Sequence, residues 1–342
     1  MEKTTHQSIS EEHNEHGLDH MSIKLPPKFV LKLKSTSKTT HDEPHTPKIE
    51  VSDDIRIKPL LKWVGGKTQI LDQVLSLFPQ EMDNYYEIFL GGGSVLLGLL
   101  RRIQLGQIKV HGHLYVYDLN RPLIYLYKNI QTHHQEIYQE MQILKENNDQ
   151  DKDKGESFYY WVRDQYNQMT PEEQLTPRGS SYLIFLNKTC FRGLFRVGPN
   201  GFNVPYGHYQ NPTILDHDHL FQIHVLLTQV VPVVFSCQDF STSLIPDQFS
   251  GQDFIYLDPP YAPETKVSFT KYTSLGFTLD QHLHLFDLIG QLQTRFLMSN
   301  AKVPLVLDHF QSPQYQIRTL ICKRSINSKN PNSTTQEVLI MN

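Results

Sequence analysis

One stretch of the chain decides the fold: Tyr85-Tyr86-Glu87-Ile88-Phe89-Leu90-Gly91-Gly92-Gly93-Ser94. Its apolar first part predicts a strand over Tyr85–Leu90 that runs directly into three consecutive glycines. Ser94 stands near the N-cap of a helix predicted over Ser94–Arg102. A strand that passes through a glycine turn into a helix is typical of an α/β sheet, in which ligands bind at the carboxyl ends of the strands.

The same alternation continues outward from this stretch, because short apolar runs are separated by segments of helical periodicity. Further strands are predicted at Leu114–Asp118, Val230–Phe235, Phe254–Asp258 and Arg295–Ser299, with a closing pair, Tyr315–Leu320 and Glu337–Met341, around the polar turn Asn327–Thr335. Helices are predicted at Leu279–Leu292 and Leu305–Gln311. The pattern predicts an open, mainly parallel α/β sheet whose last strand is antiparallel.

Between Asn120 and Thr228 helical periodicity dominates and no strand is predicted. The predicted helices are Leu123–Lys145, Ser157–Met169, Gly179–Lys188 and Asp216–Leu227, and the polar run Glu146–Glu156 is predicted to be a loop. Residues 1–55 contain too few apolar residues to form a core and are predicted to be a disordered tail. The chain therefore divides into a tail, an α/β domain in two parts (56–122 and 229–342) and a helical insertion (123–228).

Composition excludes several classes of protein. The 342 residues are 39% hydrophobic and 20% charged, which is typical of a globular chain. A net charge of −4 excludes binding of nucleic acid by bulk charge. The absence of a long apolar run or a signal sequence predicts a soluble, cytoplasmic protein without a membrane partner. Three scattered cysteines match neither a disulfide framework nor a zinc site.

Positive charge is concentrated in two strips. The span from Gln174 to Leu215 contains four basic residues and no acidic residue, and the span from His309 to Gln336 repeats this composition. Local positive strips on a nearly neutral protein favour a focused contact with a polyanion, although ordinary solvated surface produces the same pattern.

Two features indicate a nucleoside-containing ligand. The consecutive glycines allow the backbone to approach a ligand closely, although a tight structural turn explains them equally well. Leu96 occupies the third glycine position of the dinucleotide fingerprint, so that motif is excluded. Asp118 ends the next strand and is suited to accept hydrogen bonds from ribose hydroxyls, a use that is compatible with a helix N-cap.

A third feature is Asp258-Pro259-Pro260-Tyr261, which follows an apolar strand. The two prolines lack backbone N–H groups and fix φ, so a carboxylate, a free carbonyl and an aromatic ring are presented together. This set can accept both hydrogens of an exocyclic amine while the ring stacks on the planar base. The alternative is that the prolines only terminate the strand.

Two other motifs are set aside. Gly65-Gly66-Lys67-Thr68 ends like a phosphate-binding loop, but Leu61 stands where that motif needs its first glycine. The pairs His217-Asp218-His219 and His282-Leu283-His284 suggest no third ligand, so no metal site is predicted.

Together the motifs resemble those of the Dam-type (D12 class) DNA adenine-N6 methyltransferases. The matching segments are Pro59–Lys67, Phe89–Gly93, Asn187–Gly207, Asp258–Tyr261, Phe269–Tyr272 and Ser299-Asn300. The resemblance covers the chain from about Lys58 onward. It implies a Rossmann-like S-adenosylmethionine-dependent methyltransferase sheet with an inserted helical domain that recognises the DNA target.

The resemblance implies S-adenosyl-L-methionine as the cofactor and a set of residues around it. Lys67 is expected near the methionine carboxylate and Asp118 at the ribose. The expected cofactor-binding residues are Trp63, Lys67, Phe89, Gly91, Gly93, Asp118, Asp239, Phe240 and Asp258, of which Asp239 and Phe240 lie on the adenine side.

The catalytic residues implied are Asp258, Pro259, Pro260 and Tyr261. An adenine amino nitrogen is a poor nucleophile because its lone pair is delocalised into the ring. Hydrogen bonds to the Asp258 carboxylate and the Pro259 carbonyl favour the pyramidal nitrogen that forms during attack. Tyr261 is expected to stack on the target base, which must leave the duplex to reach the site.

The implied partner is double-stranded DNA, which the acid-free segment Lys188–Arg196 and the loop after it are expected to recognise. Arg196 is a candidate to read guanine bidentately. The candidate DNA-binding residues are Lys62, Arg192, Leu194, Arg196, Asn203 and Pro205. GATC is the usual target of the family, but Arg192 replaces the asparagine of many relatives and the turn Gly198–Gly201 is short, which leaves the target open.

Three rival functions are weighed against adenine methylation of DNA. Intact Asp258–Tyr261 and Lys67 argue against a DNA-binding relative that has lost catalysis. Methyltransferases of RNA or protein amides more often carry Asn at the position of Asp258, and cytosine-N4 enzymes more often carry Ser. The resemblance allows a cognate restriction endonuclease as a partner and predicts a monomer, located in the cytoplasm or wherever the host DNA or viral genome resides.

Overall fold

The computed structural model describes residues 57–153, 155–263, 277–323 and 334–342. The predicted tail at 1–55, the segment Phe269–Tyr272 and most of the polar turn Asn327–Thr335 lie outside these residues.

Nine α-helices occur within the described residues. They are α1 (Leu71–Leu75), α2 (Ser94–Gln104), α3 (Arg121–Gln150), α4 (Glu156–Gln168), α5 (Pro177–Thr189), α6 (His217–Gln229), α7 (Phe240–Ser243), α8 (Leu279–Gly290) and α9 (Pro304–His309). None of the helices in the described part of the chain combines the length and the apolar character that crossing a bilayer requires.

Eleven strands occur in the same ranges. They are β1 (Glu81–Met82), β2 (Tyr85–Glu87), β3 (Lys109–Val110), β4 (Leu114–Asp118), β5 (Val197–Gly198), β6 (Gly201–Phe202), β7 (Val233–Cys237), β8 (Phe254–Leu257), β9 (Arg295–Ala301), β10 (Gln316–Lys323) and β11 (Thr334–Met341). Seven of them form one sheet in the order β10-β11-β9-β8-β2-β4-β7.

This sheet is parallel except for β11, which lies between β9 and β10 and is antiparallel to both. The predicted α/β sheet with an antiparallel last strand is therefore confirmed. All four residues of the central strand β8 are buried, because helices cover both faces of a parallel sheet.

The strand order reverses between β2 and β8. From β2 the chain builds outward through β4 to β7, and then returns to β8 on the other side of β2 and builds outward through β9. In open α/β sheets the crevice at the carboxyl ends of the strands beside such a reversal is the place where ligands bind. The glycine turn follows β2 and Asp258 follows β8, so the topology brings both predicted motifs to this crevice.

The insertion differs from the prediction in two places. Helix α3 continues to Gln150, so the first half of the predicted loop Glu146–Glu156 is helical. Polar side chains ended the apolar periodicity there, but Lys and Glu are good helix formers and polarity alone does not stop a helix. A short hairpin, β5–β6, also forms where no strand was predicted, because two-residue strands are too short to produce an alternating pattern.

Within the insertion, α3 packs against α5 and α6, and α4 packs against α5. Large buried side chains fill the space between these helices, among them Ile137, Phe158, Tyr159 and Phe185. The division of the chain into an α/β domain and a separate helical recognition domain stays a prediction.

Candidate active site

The carboxyl ends of β2, β4 and β8 form the candidate site, together with the loop that precedes α1. That loop, residues 61–67, is named the cofactor-side loop below. It brings Trp63 and Lys67 beside the glycine turn, because the Lys67 N–H donates to Ser94 Oγ over 3.1 Å at the start of α2.

The glycine turn is shaped by its protein neighbours. Gly93 has φ of +70°, and a Cβ at this position would overlap the Tyr127 hydroxyl, which donates to the Gly92 carbonyl over 2.8 Å. A Cβ at Gly92 would lie 2.7 Å from the Cβ of Trp63. The structural reason for two of these glycines is therefore close packing, and it is compatible with a ligand at the helix N-terminus.

Asp118 joins β4 to the glycine turn. Its Oδ2 accepts from the Gly91 N–H over 2.9 Å and its Oδ1 accepts from the Asn120 N–H over 2.8 Å. Burial raises the pKa of Asp118, and backbone hydrogen bonds from Asn120, Gly91 and Leu119 oppose that rise. A carboxylate has about four lone-pair sites, so one remains for a ligand hydroxyl. The next side chain, Leu119, is 69% exposed at the same strand end and was missed by the sequence analysis.

Lys67 and Asp258 form an ion pair at the centre of the site. The Lys67 ammonium donates to Asp258 Oδ2 over 2.6 Å and to the Gly65 carbonyl over 2.7 Å. The Lys67 side chain is 3% exposed and its Nζ lies 4.9 Å from the ring centre of Tyr261. A buried ammonium is stable only with such partners, so Lys67 holds the Asp258 carboxylate in one orientation.

The second oxygen of Asp258 is buried and has no hydrogen-bond partner among the described residues. Burial raises the pKa of Asp258, Lys67 opposes that rise, and the charge of Glu337 adds to it. An acceptor that is buried without a donor costs free energy unless a ligand supplies the donor. This oxygen is therefore an acceptor prepared for an incoming N–H group.

Tyr261 is held by a residue that the sequence analysis did not identify. Its hydroxyl donates to Glu337 Oε2 over 2.7 Å, and the following Ala262 N–H donates to Asn300 Oδ1 over 3.0 Å. Glu337 lies on β11 opposite Ala301, at the edge of the sheet where the parallel strands end. No sequence signal marked Glu337, because its place depends on the antiparallel insertion of β11.

Glu87 is a second residue that was missed. Its side chain is buried beneath the glycine turn, where it accepts from the Tyr85 hydroxyl over 2.8 Å. Burial raises the pKa of Glu87 to about 8, and the nearby charges of Asp258 and Asp118 act in the same direction. An acidic residue at the end of the first sheet strand was a usable signal, but Glu87 was interpreted only as part of the predicted strand Tyr85–Leu90.

The predicted adenine side of the pocket is aromatic. Phe240 is buried, and its ring centre lies 6.0 Å from that of Phe89 and 5.3 Å from that of Phe277. The Asp239 carboxylate accepts from the Ser241 N–H over 2.9 Å and so caps α7. Phe89 follows β2 and Phe240 follows β7, whereas Phe277 precedes α8.

An open cavity of about 290 Å³ lies on the other side of the glycine turn. Its lining includes Lys58, Lys62, Trp63, Thr68, Gly92 and Ser94. Trp63 thus faces this cavity while its Cβ packs on the turn.

Apart from Lys62, the candidate DNA-binding residues lie on two adjacent segments. Residues 189–196 and 202–207 run side by side, because the Phe191 N–H donates to the Pro205 carbonyl over 2.8 Å and the Gly207 N–H donates to the Thr189 carbonyl over 2.9 Å. The exposed candidates are Lys62, Arg192, Arg196, Asn203 and Pro205, and Leu194 is half-buried.

Hydrogen bonds to Asn203 orient the guanidinium of Arg196. Its Nε donates to Asn203 Oδ1 over 2.6 Å and its Nη2 donates to the Asn203 carbonyl over 3.1 Å. Lys62 Nζ lies 4.2 Å from the ring centre of Tyr209, at the border between the cofactor-side loop and these segments. Arg192 has φ of +58°, a conformation that a β-turn asparagine adopts more easily.

His217 and His219 of the first histidine pair have polar partners within the protein. His217 Nδ1 lies 3.1 Å from Asp218 Oδ1, and His219 Nε2 lies 2.7 Å from the Lys58 carbonyl oxygen. Across the described ranges, His, Cys, Asp and Glu form no group of three that could hold a metal ion.

Known proteins match this chain over most of its length. The family described as D12 class N6 adenine-specific DNA methyltransferase matches residues 63–326. The Type II methyltransferase M.MjaIII of Methanocaldococcus jannaschii is 35% identical over 303 residues, which are 84% of this chain and 100% of the relative. The match to the family covers the glycine turn, both segments around Arg196 and the Asp258 motif.

Two bacterial relatives are more distant. The Type II methyltransferase M1.LlaDCHI of Lactococcus lactis subsp. cremoris is 28% identical over 256 residues, covering 73% of this chain and 84% of the relative. The DNA adenine methylase of Escherichia coli strain K12 is 28% identical over 279 residues, covering 79% of this chain and 90% of the relative.

Proposed function

We propose the function that follows from one premise: this chain belongs to the D12 class of N6 adenine-specific DNA methyltransferases. It transfers the methyl group of S-adenosylmethionine to N6 of an adenine base in double-stranded DNA. The observation that carries this proposal is the buried Asp258 oxygen that has no donor among the described residues. The base reaches it by leaving the duplex.

The charge of the crevice suits S-adenosylmethionine. Asp118 and Asp258 border it with carboxyl groups, and the Lys67 ammonium beside them is paired with Asp258. The remaining lone pair of Asp118 suits a ribose hydroxyl, and exposed Leu119 offers an apolar surface for the adenine ring. The N-terminus of α2 and Lys67 suit the methionine carboxylate. When bound, the cofactor supplies an electrophilic methyl group on a sulfonium.

The chain then prepares the amine. Asp258 Oδ1 and the Pro259 carbonyl accept its two hydrogens, because neither Pro259 nor Pro260 has an N–H group that could compete. These bonds strengthen as positive charge develops on the nitrogen, so they stabilise the transition state more than the bound base. The raised pKa of Asp258 supports its use as acceptor of the proton that the methylated amine releases.

Tyr261 stacks on the extruded base. Its hydroxyl is engaged by Glu337 and its ring lies beside Lys67 Nζ, so the ring is held at the mouth of the pocket. A base between this ring and the Asp258 carboxylate is recognised by its planar face and by its amino group together.

Target recognition is assigned to the exposed segments around Arg196 and to Lys62. The Asn203 contacts hold the guanidinium in one plane, which suits bidentate contact with a guanine. GATC is the target to test first. The Type II relatives support a restriction-modification setting in which an endonuclease acts on the same sequence, and the enzyme is proposed to work as a monomer.

Cofactor binding is tested by calorimetry with S-adenosylmethionine, with NADH and ATP as competitors of other enzyme classes. We expect the protein to bind S-adenosylmethionine and to bind neither NADH nor ATP. Tighter binding of NADH or ATP would overturn the proposal.

Catalysis is tested by tritiated-methyl transfer to duplexes with and without GATC. Asp258→Ala should abolish transfer while leaving cofactor binding largely intact, because the carboxylate faces the amine rather than the sulfonium. Asp218→Ala, at a side chain that is 90% exposed on α6, is the matched control. Substantial transfer by Asp258→Ala would remove this residue from the reaction.

A further inference from the structure

Asn187, near the end of α5, contacts Lys62, which lies 125 residues earlier in the chain. Its Oδ1 accepts from the Lys62 N–H over 2.8 Å, and its Nδ2 donates to the Lys62 carbonyl over 2.8 Å and to the Gly193 carbonyl over 3.0 Å. One side chain therefore holds the cofactor-side loop and the segment that carries Arg196.

Two further contacts join the same two segments. The Trp63 ring stacks on the Phe195 ring with 5.6 Å between centres and 26° between planes. Gly193 has φ of +64°, and a Cβ there would overlap the Lys62 side chain. The two segments thus pack without space between them at Lys62.

The Asn187 amide is 2% exposed and both of its polar atoms are in use. If either segment moved alone, the backbone groups of Lys62 and the buried Asn187 side chain would lose hydrogen-bond partners at a cost in free energy. The two segments therefore shift together or not at all. Trp63 and Lys67 are on one of them, and Arg192 to Arg196 are on the other.

We propose that Asn187 is a positioning residue that couples cofactor binding to DNA recognition. This rests on the proposed function, since it assigns the cofactor to one side of the contact and DNA to the other. A cofactor bound beside Trp63 and Lys67 restricts the motion of the cofactor-side loop. Because Asn187 is hydrogen-bonded to both segments, the motion of Gly193 and of the residues after it is restricted as well. By thermodynamic reciprocity, cognate DNA tightens cofactor binding by the same factor.

The measured quantity is the ratio of two dissociation constants of S-adenosylhomocysteine, without and with saturating cognate duplex. For the unchanged enzyme we expect a ratio of about 5 or more, in the ordinary range of allosteric coupling. Asn187→Ala should bring the ratio close to 1. The variant should bind S-adenosylhomocysteine alone nearly as the unchanged enzyme does, because Asn187 does not line the pocket.

Asn167→Ala is the matched control. Asn167 makes the same pair of backbone hydrogen bonds to Phe202, accepting from its N–H over 2.7 Å and donating to its carbonyl over 3.0 Å. This pair lies inside the insertion and does not involve the cofactor-side loop. The variant should lose comparable stability and keep the ratio of the unchanged enzyme.

Phe195→Leu is the second variant, because it weakens the stack on Trp63 without leaving a buried polar atom unpaired. It should lower the ratio part of the way, and it carries the test if Asn187→Ala does not fold. A ratio near 1 in the unchanged enzyme, or an unaltered ratio in whichever of the two variants folds, overturns the inference.

A different result identifies failure of the proposed function. If the unchanged enzyme transfers no methyl group to DNA and does not bind S-adenosylhomocysteine, the function is wrong and the inference is wrong with it. Methyl transfer with no coupling overturns the inference alone.

Discussion

At the scale of single residues, the site depends on which buried polar atoms have a hydrogen-bond partner and which have none. Lys67 uses its ammonium on one oxygen of Asp258 and on the Gly65 carbonyl, which leaves the other Asp258 oxygen for a ligand. A mobile carboxylate in water has no such asymmetry. The ion pair thus contributes to function by orienting an acceptor rather than by adding stability.

The buried carboxyl group of Glu87 should make the free energy of unfolding depend on pH. Its pKa lies near 8 in the folded protein against an ordinary value of 4.5, so the folded state keeps a proton that the unfolded state loses. This contribution to stability is complete below about pH 4.5 and is lost as the pH rises towards 8, at up to about 1.4 kcal/mol per pH unit. Glu87→Gln keeps an acceptor for the Tyr85 hydroxyl and cannot ionise.

We therefore expect Glu87→Gln to be more stable than the unchanged protein, with a difference in unfolding free energy that grows from pH 5 to about 8. Urea denaturation of the cofactor-free protein at a series of pH values measures it. Glu136→Gln, at an exposed position of α3, is the control. A difference that is constant with pH would contradict the burial of an ionisable group at this position.

Substitution of Glu337 should shift the pH dependence of methyl transfer. Its negative charge raises the pKa of Asp258, and Glu337→Gln removes that charge while keeping an acceptor for the Tyr261 hydroxyl. Asp258 should then remain ionised to lower pH, so the acidic limb of the rate profile should move to lower pH.

Single-turnover methyl transfer between pH 4.5 and 8 measures the acidic limb. Glu172→Gln, at an exposed position outside the site, is the comparison. Movement of the limb towards higher pH would show that Glu337 acts on the rate in another way.

At the scale of elements, two turns position the chemistry. The glycine turn after β2 is compressed between Trp63 and Tyr127, and the turn after β8 is rigid because it contains two consecutive prolines. Neither turn depends on the register of distant strands. For this reason both were recognisable from local residues, whereas the β5–β6 hairpin was not.

The glycine turn gives a prediction with an internal control. Gly93 and Gly106 both have φ of +70°, but a Cβ at Gly93 would overlap the Tyr127 hydroxyl and one at Gly106 would meet no atom within 4 Å. Gly106→Ala should cost about 1–2 kcal/mol of backbone strain. Gly93→Ala should cost about 1–3 kcal/mol more, because the overlap forces α3 away from the turn.

Thermal and urea unfolding of the two variants measure this difference. Tyr127→Phe in the Gly93→Ala background removes the overlapping hydroxyl and should recover part of the loss. Equal destabilisation by the two alanine substitutions would show that the strained φ alone explains Gly93.

At the scale of the whole molecule, a nearly neutral protein must hold DNA by localised contacts. The net charge is −4, while the span from residue 174 to 215 has no acidic residue. The second basic strip, from His309 to Gln336, includes residues 324–333 that lie outside the described residues, so its contribution stays a prediction.

Arg196→Ala should relax discrimination among target sequences, at a cost of about 1–3 kcal/mol at one base pair. The reason is that Asn203 orients the guanidinium on an exposed segment. A salt titration of binding to cognate and scrambled duplexes measures discrimination and the number of phosphate contacts separately. Arg295→Ala, at the amino end of β9 on the opposite edge of the sheet, is the control. Equal loss of both affinities in Arg196→Ala would make it a phosphate contact.

The α/β class, the glycine turn, the place of Asp118 at a strand end and the Asp258 motif were all predictable from the amino-acid sequence. These features are local, because each is encoded by residues that are neighbours in the chain and by the period of the apolar pattern. The extension of α3 to Gln150 was missed, because polar helix formers carry no apolar period.

Which residues share the site depends on long-range contacts that become visible in the folded chain. Glu337 reaches Tyr261 because β11 inserts between β9 and β10, and Lys67 reaches Asp258 although 191 residues separate them. Asn187 contacts Lys62, 125 residues earlier in the chain. Such contacts depend on strand order and on helix packing. Both result from interactions throughout the core, so no short pattern of residues encodes them.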